Sequence, residues 1–143
     1  MNNLPKRKEI RLKNYDYSSN GYYFVTICIR NKQSFVEKHR QEIEKTLLSL
    51  PSRFPGLTLD YYCLMFTHIH MILILDKVKV TLSQIVRAFK SLVIKITREK
   101  SLWQRNYYEH VIRTEQALSK IREYIQNNPL VERIKFEQFY ESG

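Results

Sequence analysis

Two histidines lie two residues apart near the start of an apolar run, "MFTHIHMILIL" at 65–75. In an extended strand, residues i and i+2 point to the same face, so His68 and His70 would place two imidazoles a few ångströms apart. Such a pair can share a metal ion. The alternative is a pair of buried, hydrogen-bonded histidines with a structural role.

A tyrosine and an asparagine are spaced one helical turn apart in "EQALSKIREYIQNNP" at 115–129. On a helix, Tyr124 and Asn128 would share a face, which continues the apolar stripe of Ile121 and Ile125. A phenol can attack a phosphodiester and conserve the bond energy in a phosphotyrosine link. An amide oxygen one turn further on could complete the ligand set of a metal ion. Alternatively, Tyr124 is an ordinary core residue and Asn128 an ordinary helix cap.

The elements that must position these residues are indicated by hydrophobic periodicity and by caps. The second helix has the clearest pattern, because Thr81 and Gln84 form a capping box. Its apolar stripe comprises Leu82, Ile85, Val86, Phe89, Val93 and Ile96. In chain order we predict a strand at 21–30, a helix at 39–50 ended by Pro51, strands at 57–65 and 68–75, the second helix, a strand at 107–113, and a third helix from Thr114 to near Asn128.

This order predicts an α+β fold, the ferredoxin-like split βαβ with an antiparallel sheet and an appended C-terminal helix that carries the tyrosine. We expect one domain at 1–143, with a basic N-terminal tail at 1–20 and a C-terminal tail at 130–143. Both faces of the strand at 68–75 are apolar, so helices should cover both. The third helix should lie against the histidine face.

The chain is strongly basic, with a formal net charge of +10 and a sequence pI near 9.7. Residues 1–14 contribute +4 and residues 76–113 contribute +6, which favours a polyanionic partner, nucleic acid first. Two aromatic residues, Trp103 and Tyr107, are candidate stacking platforms, or else core residues. The candidate contacts to the DNA backbone are Arg87, Lys90, Lys95, Arg98 and Arg105, with Lys6, Arg7, Lys8, Arg11 and Lys13 of the tail as a second group.

The sequence offers no membrane or export signal. The N-terminal stretch lacks the apolar region of a signal peptide, and no apolar run approaches the ~20 residues of a membrane span. Cys28 and Cys63 lie in apolar, strand-like segments, where a thiol behaves as a small buried hydrophobe. We therefore expect a cytoplasmic protein without a membrane partner.

Three motifs in this order and spacing, "THIHMILIL", "LWQRNYYEHVIR" and "YIQNNP", resemble the HUH-type single-tyrosine transposases. The last two are most similar to the REP-associated tyrosine transposases. The resemblance implies that His68 and His70 bind a divalent cation, Mg²⁺ or Mn²⁺, with Asn128 as third ligand, and that Tyr124 is the nucleophile. His110 of "YYEHVIR" has the context of a functional residue, or is a structural histidine.

The chain departs from the family pattern at two places. The family usually has Pro and Asn just before the first histidine, where this chain has Phe66 and Thr67, so the turn before this histidine or a contact that supports it should differ. Many relatives outside the REP-associated branch carry Gln at the position of Asn128. Two imidazoles alone would favour zinc or another late transition metal, whereas the resemblance implies a harder cation that leaves positions for phosphate oxygens.

By this resemblance we expect metal-dependent cleavage and strand transfer of single-stranded, hairpin-forming DNA through a 5′-phosphotyrosine intermediate. One alternative keeps the chemistry in a domesticated nickase that processes repeats. Another is a non-catalytic module that binds single strands or RNA, since a ferredoxin-like sheet with basic rims also describes RNA binders. The protein could be a monomer, or a homodimer that exchanges the tyrosine helix; the short link between Arg113 and Thr114 is consistent with packing within one subunit.

Overall fold

The computed structural model describes residues 20–30, 36, 38–65 and 67–127, and in these ranges four strands and three helices follow one another in the predicted order. The predicted tail at 1–20 is therefore described only at its last residue, and the tail at 130–143 lies outside the described residues. The elements are β1 (Gly21–Ile29), α1 (Arg40–Arg53), β2 (Leu57–Leu64), β3 (His68–Leu75), α2 (Leu82–Thr97), β4 (Trp103–Ile112) and α3 (Glu115–Asn127).

The four strands form one sheet in the order β2-β3-β1-β4, and every neighbouring pair is antiparallel. β1 is a central strand, and its residues 23–29 are all buried, as expected for a segment covered on both faces. Each βαβ unit has a third strand between its two strands. The predicted ferredoxin-like split βαβ fold with an appended helix is thus confirmed.

The sheet is covered by one helical layer on each face. α1 and α2 pack on the face that carries Ile69, Met71 and Leu73, which is the larger core. α3 packs on the opposite face, where Ile121 and Ile125 contact a smaller cluster of buried residues. The prediction that α3 lies on the histidine face is confirmed.

Helix ends follow the predicted caps with one exception. Thr81 and Gln84 form the capping box of α2, and the hydroxyl of Thr114 accepts a hydrogen bond from the backbone N–H of Ala117 at the start of α3. The predicted end of α1 at Pro51 is wrong, because the helix continues to Arg53. A proline this close to a helix end removes a single backbone donor, and Leu47 and Leu50 remain buried against the sheet.

Two further expectations about boundaries and burial are wrong. β4 starts at Trp103, four residues before the predicted strand, since its exposed segment at 104–106 is polar and hides the strand pattern. Ile96 is 50% exposed and does not belong to the buried stripe of α2, because it lies in the last turn, beyond the core. No helix within the described ranges is both long and apolar enough to cross a membrane.

Candidate active site

The two histidines of β3 lie side by side. The ring centroids of His68 and His70 are 5.8 Å apart, and the ring planes differ by only 4°. His70 is buried, and His68 is partly accessible at the strand's start. The i, i+2 spacing on a strand therefore places the two imidazoles together as the sequence predicted.

A threonine hydroxyl contacts the Nδ1 atom of each ring. Thr67 Oγ1 is 2.7 Å from His68 Nδ1, and Thr26 Oγ1 is 2.9 Å from His70 Nδ1. Thr26 belongs to β1 and lies directly opposite His70 in the sheet register. In the tautomer that donates from Nδ1 to the hydroxyl, each Nε2 atom retains the lone pair that a metal ligand needs. These contacts fit a pair of metal-binding histidines.

Thr67 is one of the two departures from the family pattern before His68, and the structure shows the contact that it makes. Thr67 occupies the position immediately before His68, where the family usually has Asn, and its hydroxyl reaches the ring. The supporting contact that the sequence left open is therefore made by a hydroxyl. Phe66 lies outside the described residues.

Burial determines the charge of the inner ring. Burial, and to a smaller extent the neighbouring His68, together lower the pKa of His70 from the ordinary value of 6.5 to about 3. His70 is thus a neutral imidazole at physiological pH. Only the neutral form can bind a metal, so the protonation state also fits.

The tyrosine of α3 lies against the inner histidine. The Tyr124 and His70 ring centroids are 5.5 Å apart, with the rings at 72° in an edge-on arrangement. Tyr124 is 4% exposed and also meets Phe24 edge-on, at 6.4 Å. Burial of Ile121 and Ile125 on this face of the sheet orients the phenol in this way.

The predicted third metal ligand, Asn128, lies just outside the described residues. Within the part of the chain that is described, no group of three or more His, Cys, Asp or Glu side chains is arranged to hold a metal ion. The described residues thus bring two imidazoles together, and the assignment of Asn128 as third ligand stays a prediction.

His110 belongs to the same face of the sheet. It lies opposite Phe24 in the register of β1 and β4, and the two ring centroids are 6.4 Å apart. Burial, followed by the charge of Arg113, lowers the pKa of His110 to about 4. His110 is therefore a buried neutral ring that borders the phenylalanine contacted by Tyr124.

Three of the predicted DNA contacts line one cavity between α2 and β4. The cavity has a volume of about 230 Å³ and is lined by Ser83, Val86, Arg87, Lys90, Arg105, Asn106 and Tyr107. Lys90 Nζ donates to the carbonyl oxygens of Gln104 (3.1 Å) and Arg105 (3.5 Å), and its burial lowers its pKa. We call this cavity the α2–β4 groove. It opens on the α1 and α2 side of the sheet, away from the histidines.

Two further predicted DNA contacts that the structure describes, Lys95 and Arg98, lie outside the α2–β4 groove. Lys95 is exposed in the last turn of α2, and Arg98, also exposed, is the residue that caps the C-terminal end of this helix. The tail residues Lys6, Arg7, Lys8, Arg11 and Lys13 lie outside the described residues.

The two candidate stacking residues are buried. Trp103 and Tyr107 are only 7% and 6% exposed, which leaves little of either ring for a base to stack on. The indole N–H of Trp103 donates to the carbonyl oxygen of Lys90 at 3.1 Å, and the ring packs on Phe89. The structure thus gives both residues a place in the core and does not support a stacking role.

Sequence reasoning missed two features of the site. Thr26 supports His70, but only the pairing of β1 with β3 brings it there, and these strands are far apart in the chain. Arg122 of α3 forms an ion pair with Asp60 of β2, at a sequence separation of 62 residues. A buried threonine in a central strand was the one local signal available.

With this geometry defined, comparison with known proteins identifies the family. The sequence model of a family described as "Transposase IS200 like" matches residues 16–128. The chain belongs to this family. It is thus a member of a family of DNA-processing enzymes, and the resemblance to single-tyrosine transposases predicted from the motifs is confirmed.

Individual relatives agree with this assignment. A Haemophilus influenzae protein of uncharacterized function is 36% identical over 87% of this chain and 89% of its own length. A second Haemophilus influenzae protein, named as a candidate REP-associated tyrosine transposase, is 25% identical over 83% of this chain and 77% of its own length.

Two solved structures share the fold. One is a REP-associated tyrosine transposase bound to a REP hairpin, with a TM-score of 0.74 and 22% identity, over 84% of this chain and 72% of that one. The other is a candidate transposase from Deinococcus radiodurans, with a TM-score of 0.56 and 18% identity, over 82% of this chain and 97% of that one.

Proposed function

We propose that this protein cleaves and rejoins single-stranded DNA at hairpin-forming sequences through a covalent link to Tyr124. The observation that carries the proposal is the contact between the Tyr124 and His70 rings, 5.5 Å apart, within a chain of a transposase family.

The proposed reaction is a transesterification. The Tyr124 oxygen attacks the scissile phosphorus, an O–P bond forms, and the bond from phosphorus to the 3′ oxygen breaks. In net terms the phenolic proton ends on the departing 3′ oxygen, which gives a 5′-phosphotyrosine and a free 3′-hydroxyl. Because the new ester conserves the bond energy, a 3′-hydroxyl of another strand can reverse the step without a nucleotide cofactor.

We propose His68, His70 and Asn128 as the residues that hold a divalent cation, Mg²⁺ or Mn²⁺. The neutral state of His70 and the hydroxyl contacts at both Nδ1 atoms fit this role. When bound, the cation would polarise the scissile phosphate and neutralise charge that develops in the transition state. Thr26 and Thr67, through their contacts with the Nδ1 atoms, orient the two rings.

The proposed DNA contacts lie on two sides of the sheet. Arg87, Lys90 and Arg105 line the α2–β4 groove, whereas Tyr124 lies on the α3 side. Since β4 is an edge strand, a substrate that reaches both must pass around its edge. A folded stem held at the groove, joined to a single strand that leads to Tyr124, meets this requirement. The solved relative bound to a REP hairpin supports this class of substrate.

The test is covalent capture. Single-stranded oligonucleotides with a hairpin are incubated with the protein and Mn²⁺ and resolved on a denaturing gel. We expect a DNA–protein adduct that needs the cation and disappears in Tyr124→Phe. An adduct that persists at wild-type level in Tyr124→Phe would assign the nucleophile to another residue.

The same assay separates the binding-module alternative, and the genomic context separates the nickase. A non-catalytic binding module would bind the hairpin in a salt-sensitive way, form no adduct, and be indifferent to metal and to His68→Ala. A domesticated nickase would form the adduct, and matching palindromic repeats flanking the gene would instead favour self-mobility. We propose the cytoplasm as the site of action, and a monomer in which Tyr124 serves the histidines of its own chain.

A further inference from the structure

β2 contains a bulge opposite the middle of β3. The flanking register pairs are Leu59 with Leu73 and Tyr62 with Met71. Between them β2 contributes two residues, Asp60 and Tyr61, whereas β3 contributes only Ile72. One extra residue in a strand breaks the alternation of side chains and re-aims those at the bulge.

The bulge turns two consecutive side chains toward the tyrosine helix. Leu59 and Tyr62, on either side of it, pack with the core beneath α1 and α2. Tyr61 packs with the core beneath α3, and Asp60 contacts Arg122 of α3. A regular strand would have directed only one of two adjacent residues to that face.

Arg122 contacts both residues of the bulge. Its Nε atom donates to Asp60 Oδ2 at 2.7 Å, and a terminal nitrogen donates to Asp60 Oδ1 at 3.0 Å. The guanidinium carbon lies 5.3 Å from the centre of the Tyr61 ring, within the range of a cation–π contact. A two-pronged bond between planar groups fixes their mutual orientation, which a single point contact does not.

Arg122 and Tyr124 flank the buried side of α3. With 3.6 residues per turn they lie roughly 160° apart around the helix, with Ile121 and Ile125 between them. Contacts of the two isoleucines with the sheet are non-directional and tolerate some rotation of the helix about its axis. The two-pronged hydrogen bond from Arg122 to Asp60, which we call the fork, does not tolerate such a rotation. By fixing the position of Arg122 on one flank of the helix, it also fixes the phenol of Tyr124 on the other.

We propose that the bulged pair Asp60 and Tyr61, by receiving Arg122, sets the rotation of α3 and holds Tyr124 against His70 of the same chain. Arg122 is thus a positioning residue for the cleavage reaction, and its role rests on the function proposed above. Both side chains of this ion pair are partly shielded from solvent: Arg122 is 35% exposed and Asp60 is 15% exposed.

The kinetic test compares three variants with the wild type. Arg122→Gln removes the charge and the fork, Arg122→Lys keeps the charge but loses the fork, and Lys120→Gln removes an exposed cation of the same helix as a control. We measure the single-turnover rate of adduct formation at saturating hairpin, well below the melting temperature of each variant. Misplacement of a reacting group by about 1 Å costs on the order of 100-fold in rate.

We expect Arg122→Gln to slow adduct formation by about 10- to 100-fold while hairpin affinity changes less than about 2-fold. Arg122→Lys should recover only part of this loss, and Lys120→Gln should match the wild type. The double variant that exchanges the partners, Asp60→Arg with Arg122→Asp, should form the adduct faster than either Asp60→Arg or Arg122→Asp alone. A wild-type rate in Arg122→Gln, or an exchange no better than the single variants, would overturn the proposal.

A second readout requires neither DNA nor metal. In metal-free protein, nuclear Overhauser effects between ring protons of Tyr124 and His70 report their contact. They should weaken in Arg122→Gln and persist in Lys120→Gln; unchanged effects in Arg122→Gln would overturn the positioning role. If the wild type forms no adduct at all, the proposed function fails, whereas this measurement still tests whether Arg122 holds Tyr124 against His70.

Discussion

Replacing Thr26 by valine tests the support of the inner histidine. Valine has nearly the same shape, so the change removes the contact of 2.9 Å between the hydroxyl and His70 Nδ1 with little repacking. Thr26 and His70 are 0% and 1% exposed, so water cannot easily replace the lost partner. Leaving a buried polar atom without such a bond costs about 1–3 kcal/mol. We expect the free energy of unfolding to fall by that amount, as measured by urea denaturation without metal.

The same change should also weaken the binding of Mn²⁺. Loss of a group that orients a ligating histidine typically lowers metal affinity by roughly 10- to 100-fold. We therefore expect Mn²⁺ affinity, measured by calorimetry, to fall in this range in Thr26→Val. Adduct formation should fall at limiting Mn²⁺ and recover when the cation is saturating.

A matched control is available in α1. Thr46 is also buried, at 3% exposure, but its hydroxyl donates to the backbone carbonyl of Glu42 on the other side of the sheet. Thr46→Val should leave Mn²⁺ affinity unchanged. If Thr26→Val binds Mn²⁺ as tightly as the wild type does, then Thr26 does not orient a metal ligand, and the role proposed for its hydroxyl is refuted.

Three other predictions follow from the described contacts. Burial lowers the pKa values of His70 and His110 from the ordinary 6.5 to about 3 and about 4, so below pH 6.5 the unfolded chain binds more protons than the folded one. The free energy of unfolding should therefore fall as the pH drops below 6.5, by about 1.4 kcal/mol per pH unit for each ring until its folded pKa is reached. A flat stability profile from pH 6.5 to 4.5 in urea titrations would contradict the buried neutral rings. Arg105→Ala should weaken hairpin binding across sequences and reduce the salt slope by about 1, measured by fluorescence anisotropy, if the α2–β4 groove holds phosphates. Mixing Tyr124→Phe with His70→Ala should restore no adduct, whereas recovery would show that the tyrosine acts in a partner subunit.

Most of the fold could be predicted from sequence because its signals are local. The capping box of Thr81 and Gln84 marks the start of α2, and the alternation in β3 predicts which residues face each helical layer. The errors are local as well. Pro51 predicts an end of α1 that the structure places at Arg53, because a proline near a helix end removes only one backbone donor. The polar residues at 104–106 conceal the start of an edge strand.

The candidate site could be predicted only in part. The spacing of His68 and His70 and the helical stripe through Tyr124 brought the right side chains to one face. Thr26 could not be predicted, because its role depends on the register of two strands distant in sequence. The contact of Asp60 with the tyrosine helix could not be predicted either, because it depends on a bulge in β2 that no residue pattern marks.

The location of the DNA–protein bond tests the central claim most directly. After reaction with a hairpin oligonucleotide and Mn²⁺, the adduct is digested with nuclease and trypsin, and the peptides are analysed by mass spectrometry. Cleavage after Arg122 and Arg133 releases residues 123–133, in which Tyr124 is the one tyrosine. We predict that this peptide carries the nucleotide phosphate on Tyr124. A nucleotide attached to any other peptide, or no covalent link in protein that binds both hairpin and Mn²⁺, would contradict the account.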